Sequence, residues 1–248
     1  MDILLIGCTG QMGKTLTDLC LENKNYNIVA GVALEEANLD YPIYKSIDDV
    51  QGKFDVIIDF SSAKSLDSLI EFLNKNHIPT VIATTGHTEE QISSIKNCSK
   101  NTPIVYSGNM SVGVNLLLNI VENISSKFKN SDIEIIEKHH NQKIDSPSGT
   151  AKMLYNSVNK GRDDTLFENQ GRAGNNTKRA SNEVGMHSIR GGNIVGEHTV
   201  LFAGTDEIIE ITHKASSKKI FANGSLTAAN FIVNKENGLY TMNEVLGL

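Results

Sequence analysis

The run EKHHNQKIDSPSGTAK at residues 137–152 puts two adjacent histidines, a lysine, an aspartate and a Pro-Ser-Gly-Thr turn in one short stretch. A histidine holds or releases a proton near neutrality, and Lys143 adds a fixed positive charge beside it. Pro147-Ser148-Gly149-Thr150 leads into AKMLYNSVNK, which has helical spacing. Orphan N–H groups, the helix dipole and a hydroxyl therefore converge on a place suited to an anion. The same string also reads as a polar loop that merely caps a helix, with Asp145 as a turn carboxylate, since helix starts commonly recruit Ser, Thr and Pro. Alternation through SDIEIIEKHH sends His139 and His140 to opposite faces of a strand, which argues against an adjacent pair of metal ligands.

A second cluster, GCTGQMG at residues 7–13, follows one apolar β-type run and precedes a helical one. Gly7 suits a tight turn, Gly10 the approach of a pyrophosphate to the backbone, and Gly13 close helix–strand packing. The spacing is GxxGxxG. Gly13-Lys14-Thr15 imitates the end of a P-loop, but that motif needs glycine at position 8, where Cys8 stands. Plain structural glycines in a strand–helix turn are the competing reading. A dinucleotide site also needs an acid at the end of the second strand for the ribose hydroxyls, and Glu35 falls there, with Glu36 next to it. A second carboxylate disfavours a 2′-phosphate. The segments ATTG (83–86) and SGNM (107–110) close the fourth and fifth strand-like runs, the edge where open α/β sheets hold ligands.

These residues require elements to position them. DILLIGC, NIVAGVAL, FDVIIDF, IPTVIATTG and TPIVYSG alternate with amphipathic segments, a pattern that predicts a parallel sheet wrapped by helices. VGVNLLLNIVENISSKF (112–128) reads as a helix crossing into a second unit. Beyond residue 131 strands alternate with turns at Gly191-Gly192 and Gly204-Thr205-Asp206, which favours antiparallel neighbours. The polar stretch at residues 161–182 reads as a mobile surface loop. FANGSLTAANFIVNKENGLYTMNEVL carries an apolar stripe that predicts a helix returning to the first unit. The expected division is 1–110 with 220–248 for dinucleotide binding, and 111–219 for substrate binding and oligomerisation.

Composition narrows the function. Lys+Arg 23 against Asp+Glu 29 gives net charge −6, with no basic patch, so nucleic acid is not the expected partner. No apolar run is long enough for a membrane span and no basic leader opens the chain, so a cytoplasmic protein is expected. Cys8, Cys20 and Cys98 are widely spaced, without a metal-binding framework, and no metal site is expected.

HHNQKIDSPSGTA, preceded by IEIIEKH, closely resembles the signature of the 4-hydroxy-tetrahydrodipicolinate reductase (dihydrodipicolinate reductase) family of lysine and diaminopimelate biosynthesis. IGCTGQMG, VIATTG, SGNMSVGVN and HSIRGGNIVGEHTVLFAGTDEIIEITHKA with FANGS extend the resemblance over nearly the whole chain. It implies an α/β fold: a Rossmann-like dinucleotide-binding domain, plus an α+β substrate domain whose open mixed sheet assembles a homotetramer. It makes His139 the acid–base residue and Lys143 its partner as proton donor, and puts His140, Gly149 and Thr150 on the carboxylates of a small cyclic dicarboxylate. It assigns to NADH or NADPH the loop Gly7, Cys8, Thr9, Gly10, Gln11 and Met12, and Glu35. Ala83, Thr84 and Thr85, then Ser107, Gly108, Asn109 and Met110, complete that assignment. Ala83 departs from a glycine frequent in the family, and Glu36 replaces a basic residue found in some members. Two rival readings are a related Rossmann dehydrogenase acting on another small carboxylate, and a catalytically silent nucleotide sensor. The first would lack the joined His-His, Lys and Ser-Gly-Thr loop, and the second would need neither His139 nor Lys143.

Overall fold

Five apolar strand segments in the first part of the chain are buried on both faces, and that continuous burial is what a helix-covered parallel sheet demands. The structure, a computed structural model, describes residues 1–248. It contains two compact units, Met1–Val112 with Lys218–Leu248, and Gly113–Ser217. The first begins β1 (Asp2–Ile6), α1 (Gln11–Glu22), β2 (Asn27–Val32), β3 (Ile43–Tyr44), β4 (Val56–Asp59) and α2 (Leu66–Asn76). It continues β5 (Thr80–Ile82), α3 (Glu89–Cys98) and β6 (Pro103–Tyr106). Next come α4 (Val112–Lys127), β7 (Asp132–His139), α5 (Gly149–Lys160), β8 (Phe167–Asn169), β9 (Glu183–Arg190), β10 (Gly196–Ala203) and β11 (Ile208–Ala215). The chain returns to the first unit as α6 (Lys219–Ile232), β12 (Gly238–Tyr240) and α7 (Met242–Leu246).

The first sheet is parallel throughout, in the order β12-β6-β5-β4-β1-β2-β3. Alternation along its strands feeds two cores. Ile3, Leu5, Val56 and Ile58 face Leu16 of α1 and Leu226 and Ile232 of α6. Leu4, Ile6, Ile57 and Ile82 face Leu69 and Leu73 of α2 and Ile95 of α3. The returning helix predicted from its apolar stripe is α6. Its Gly224 lies so close to the Met110 carbonyl that a Cβ there would overlap the oxygen. The edge strands β3 and β12 were not anticipated, since two or three residues give no periodicity to read.

The second sheet is mixed, in the order β11-β10-β7-β9-β8. β10 runs antiparallel to both β7 and β11, whereas β9 runs parallel to β7 and β8 parallel to β9. The expectation of antiparallel neighbours thus fails for half of this sheet. Parallel neighbours need a crossover: α5 lies in the connection that leaves β7, and residues 170–182 form the one from β8 to β9. Helices α4 and α5 cover one face, where Leu117, Val121, Leu154 and Val158 pack on Ile133, Ile135, Val184 and Phe202.

Residues 161–182, which their polarity marks as a surface loop, are mostly exposed but also hold one strand and several charge pairs. β8 lies within them and pairs with β9. Arg172 and Arg179 both reach Glu134 on β7, at 2.7 and 3.1 Å, and Arg172 also pairs with Glu183. Charge pairing to strand carboxylates holds the polar part of the segment, while Leu166 packs against the core of the second unit. No helix of the chain is long and apolar enough to cross a membrane.

Candidate active site

β7 makes the site in the second unit by changing the chemistry of one face along its length. Ile133 and Ile135 point at the helices, and continued alternation puts Glu137 and His139 on that same face beyond the apolar core. The neighbours are in register: Arg190 of β9 opposite His139, and His198 of β10 opposite Glu137. His139 is 9% exposed and Glu137 1%. The two bond directly, His139 Nδ1 lying 2.7 Å from Glu137 Oε2. His139 and His198 meet edge to face with centroids 5.1 Å apart.

Burial pushes the His139 imidazole below its ordinary range, against the opposing pull of Glu137. His140 follows the strand and is only partly buried, consistent with the two histidines diverging. The chain then turns, with Lys143 N–H donating to the His140 carbonyl and Lys143 Nζ pairing with Asp145 at 2.8 Å. That pair lowers the Asp145 carboxyl. Asp145 is thus a partner of the lysine rather than a helix cap.

The cap of α5 is Ser148, whose Oγ accepts from Ala151 N–H at 3.2 Å and lies 2.8 Å from His198 Nε2. The Ser148 hydroxyl is turned inward, so it does not serve the anion site as its position suggested. Gly149 and Thr150, the first two residues of the helix, sit at its positive end, and a side chain at Gly149 would meet nothing within 4 Å. A basic side chain, a half-buried histidine and the positive end of a helix together suit a small polycarboxylate, and His139 can move a proton beside it.

In the first unit the loop after β1 confirms two of its three glycine readings by geometry. Gly7 has φ +79°, and a Cβ on it would lie 2.5 Å from the Phe60 carbonyl oxygen. A Cβ on Gly13 would overlap the Gly7 carbonyl, so only glycine lets α1 sit this close to the turn. Gly10 is the N-cap of α1, without any side-chain cap, and it borders a cleft of about 480 Å³. Gly7, Thr9, Gly10 and Glu35 line that cleft with Asp59 and Lys45. A glycine cradle, a helix start with no side-chain cap and an exposed acid at the end of the second strand fit a dinucleotide.

Other predicted cofactor residues lie outside the cleft. Cys8 is fully buried beneath the loop, where burial raises its thiol. Gln11 opens α1 on the surface and accepts from Lys218, and Met12 packs against the core. Ala83–Thr85 follow β5, with Ala83 N–H and the Thr84 hydroxyl bonded to the Asp59 carbonyl at 3.0 and 3.4 Å. Ser107–Met110 follow β6. There the Ser107 hydroxyl donates to the Asn109 carbonyl, Gly108 is exposed, and Asn109 and Met110 are buried. Both segments are at the carboxyl edge of the sheet, but Thr84, Asn109 and Met110 can offer a ligand little besides backbone.

Sequence reasoning overlooked Glu137, Arg190, His198 and Lys45. Glu137 and His198 were visible inside quoted runs, yet only the strand register brings them together. Lys45 follows the short β3, which no pattern announced.

Residues 1–110 match the family described as Dihydrodipicolinate reductase, N-terminus, and residues 113–246 match Dihydrodipicolinate reductase, C-terminus. The 4-hydroxy-tetrahydrodipicolinate reductase of Brachyspira hyodysenteriae is 50% identical over 99% of this chain and 100% of its own. That of Clostridium novyi is 47% identical over 98% and 97%. The structure of dipicolinate-bound dihydrodipicolinate reductase from Paenisporosarcina sp. TG-14 superposes with TM-score 0.81 at 22% identity, covering 97% of each chain.

Proposed function

The chain belongs to the dihydrodipicolinate reductase family, and from that premise we propose that it reduces 4-hydroxy-tetrahydrodipicolinate to tetrahydrodipicolinate with a reduced pyridine nucleotide, through the residues gathered at the end of β7. The observation that carries this reading is that His139, the Lys143–Asp145 pair and the N-terminal end of α5 belong to one short stretch of β7 and the turn after it. A reduced nicotinamide held at the glycine loop would supply the hydride for the conjugated ring left when the 4-hydroxyl departs as water with a neighbouring ring hydrogen. His139, protonated on Nε2 as the imidazolium, donates the proton that the neighbouring carbon then takes, and solvent restores it. A burial-depressed imidazole yields that proton more readily than a free one. Lys143 neutralises one carboxylate of the substrate and can pass a proton, while His140 and the N–H groups of Gly149 and Thr150 receive the carboxylates.

The glycine loop and Glu35 hold the nucleotide. Ala83–Thr85 and Ser107–Met110 contribute through their backbones. Either NADH or NADPH is accepted, with NADH preferred because Glu35 and Glu36 oppose a 2′-phosphate. Lys45, 3.6 Å from Glu36, moderates that preference. The uncovered face of the second sheet, with Ile136 and Leu201 only partly buried on it, suits assembly into a homotetramer, and a cytoplasmic location fits a biosynthetic reductase. Light scattering of the purified protein checks the assembly.

The deciding assay follows loss of reduced-nicotinamide absorbance with enzymatically generated substrate. Rapid oxidation that depends on this substrate is expected. Oxidation with other small carboxylates at equal efficiency, or none at all, would overturn the assignment.

A further inference from the structure

Every hydrogen-bonding direction of the Glu137 carboxylate is committed. Oε2 accepts from His139 Nδ1 and from Arg190 Nη1, each at 2.7 Å. Oε1 accepts from Arg190 Nη2 at 2.8 Å and from the Ser148 backbone N–H at 3.1 Å. A bidentate guanidinium is the strongest partner that a buried carboxylate can have, and it keeps Glu137 ionised. An ionised carboxylate only accepts, so the proton between Glu137 and His139 sits on Nδ1. His139 Nε2 is left as the working nitrogen. It lies over Gly196, where an added Cβ would come within 3.1 Å of it.

Resting on the reading of His139 as the acid, we propose that Glu137 is its positioning residue: it fixes the Nδ1–H tautomer, aims Nε2 outward, and ties the imidazole to the start of α5, while Arg190 offsets its charge. Without Arg190, a lone buried carboxylate at this distance would hold the imidazolium and resist proton release. The charged and titratable groups around His139 come from every neighbouring element: Glu137 on β7, Arg190 on β9, His198 on β10 and Lys143 in the following turn. Glu137 is the one anion among them. The bond to Ser148 N–H sets Gly149 and Thr150 relative to the same imidazole, so one carboxylate registers the proton donor against the substrate's anion site.

The test is Glu137→Gln, which keeps shape and removes charge. Expected is a fall in kcat of roughly 10²-fold, less than the about 10⁴-fold seen when the orienting aspartate of a serine-protease triad is neutralised. The limb of the kcat profile that reports His139 should move to lower pH, with KM for the nucleotide unchanged. A merely structural role would reduce folded protein and leave that limb in place, and such a result would overturn the proposal. Nitrogen-15 NMR of histidine-labelled wild type provides a reading that needs no variant: Nδ1–H in the neutral ring, with Nε2 as the nitrogen that takes up the acid proton as pH falls, is expected, and the opposite tautomer would sink the idea. The double variant with His139→Gln separates this from the underlying reading. If His139→Gln alone is fully active, the assignment of the acid fails; if Glu137→Gln still costs its full factor in the His139→Gln background, the positioning role fails.

Discussion

Glu137 on β7 and His198 on β10 stand directly opposite each other across an antiparallel pairing, and their environments drive them toward different charges. For Glu137, burial alone would raise the carboxyl, but hydrogen bonds from Arg190 foremost, then His139, outweigh it and hold it at about 2. For His198, burial dominates, the neighbouring His139 adds to it, and the imidazole is pushed down to about 4. This pairing therefore sets one buried anion with its counter-ion beside one buried neutral ring. His198 accordingly serves as a hydrogen-bond partner for the Ser148 cap.

Acid should destabilise the fold through both groups, in successive windows. An unfolded histidine titrates near its ordinary 6.5, so between that value and about 4 the unfolded chain binds the extra proton and stability falls with falling pH. Glu137 contributes stability above the ordinary glutamate range, and this is lost as pH drops from 4.5 toward about 2. Urea unfolding at pH 7.5 and 5.0 should differ by on the order of 2 kcal/mol from His198 alone. In His198→Gln that difference should shrink by a similar amount. An identical pH dependence in the variant would show that the ring is not held neutral.

His139→Gln should lower kcat by about 10²- to 10⁴-fold, the usual worth of a general acid, while nucleotide affinity stays near wild type. The glycine loop that would bind the nucleotide belongs to the other compact unit, so its geometry has no cause to change. Steady-state kinetics with fluorescence titration of the nucleotide checks both halves. Near-normal turnover would remove His139 from the mechanism.

The sites differ in how much of them could be read before the fold was known. Gly7 and Gly13 were legible because only glycine tolerates a positive φ or a backbone in contact with Cα. His139, Lys143 and Gly149-Thr150 were legible because they lie close together in the chain. Arg190 was not, since its partner Glu137 lies 53 residues away and meets it only through the parallel β7–β9 pairing. That pairing was itself obscured, because the polar crossing segment is held by Arg172 and Arg179 on Glu134 rather than by an apolar stripe. Patterns of hydrophobicity report cores. They are blind to order created by buried charge.

Lys143→Ala should raise substrate KM and lower kcat together. The side chain is 20% exposed and its ion partner, Asp145, is the more exposed member of the pair. A substrate carboxylate can therefore replace or share that partner, and its charge-assisted hydrogen bonds would be lost with the lysine, at about 1.5–3 kcal/mol. Asp145→Asn makes the complementary case, since freeing the ammonium should lower KM modestly. If Lys143→Ala leaves KM unchanged, the lysine does not touch the substrate.

Nucleotide preference turns on three side chains near one mouth of the glycine cleft. Glu35 lines it at the end of β2, Glu36 follows, and Lys45 lines it from beyond β3 with its ammonium 3.6 Å from Glu36. The two carboxylates repel a 2′-phosphate, whereas Glu35 can accept both ribose hydroxyls. Lys45 and Glu36 are both well exposed, so their pairing is weak, on the order of 1 kcal/mol or less, and Lys45 can be recruited by a phosphate at little cost. NADH should therefore lead in kcat/KM while NADPH remains a substrate. Lys45→Ala should widen the gap by only a few-fold, and Glu36→Arg should move the ratio toward NADPH. A wild-type advantage for NADPH of tenfold, about 1.4 kcal/mol of transition-state binding, would mean that Lys45 outweighs both acids. Were Glu36→Arg to change nothing, Glu36 would be a solvated loop residue, and any preference would rest on Glu35 and Lys45 alone.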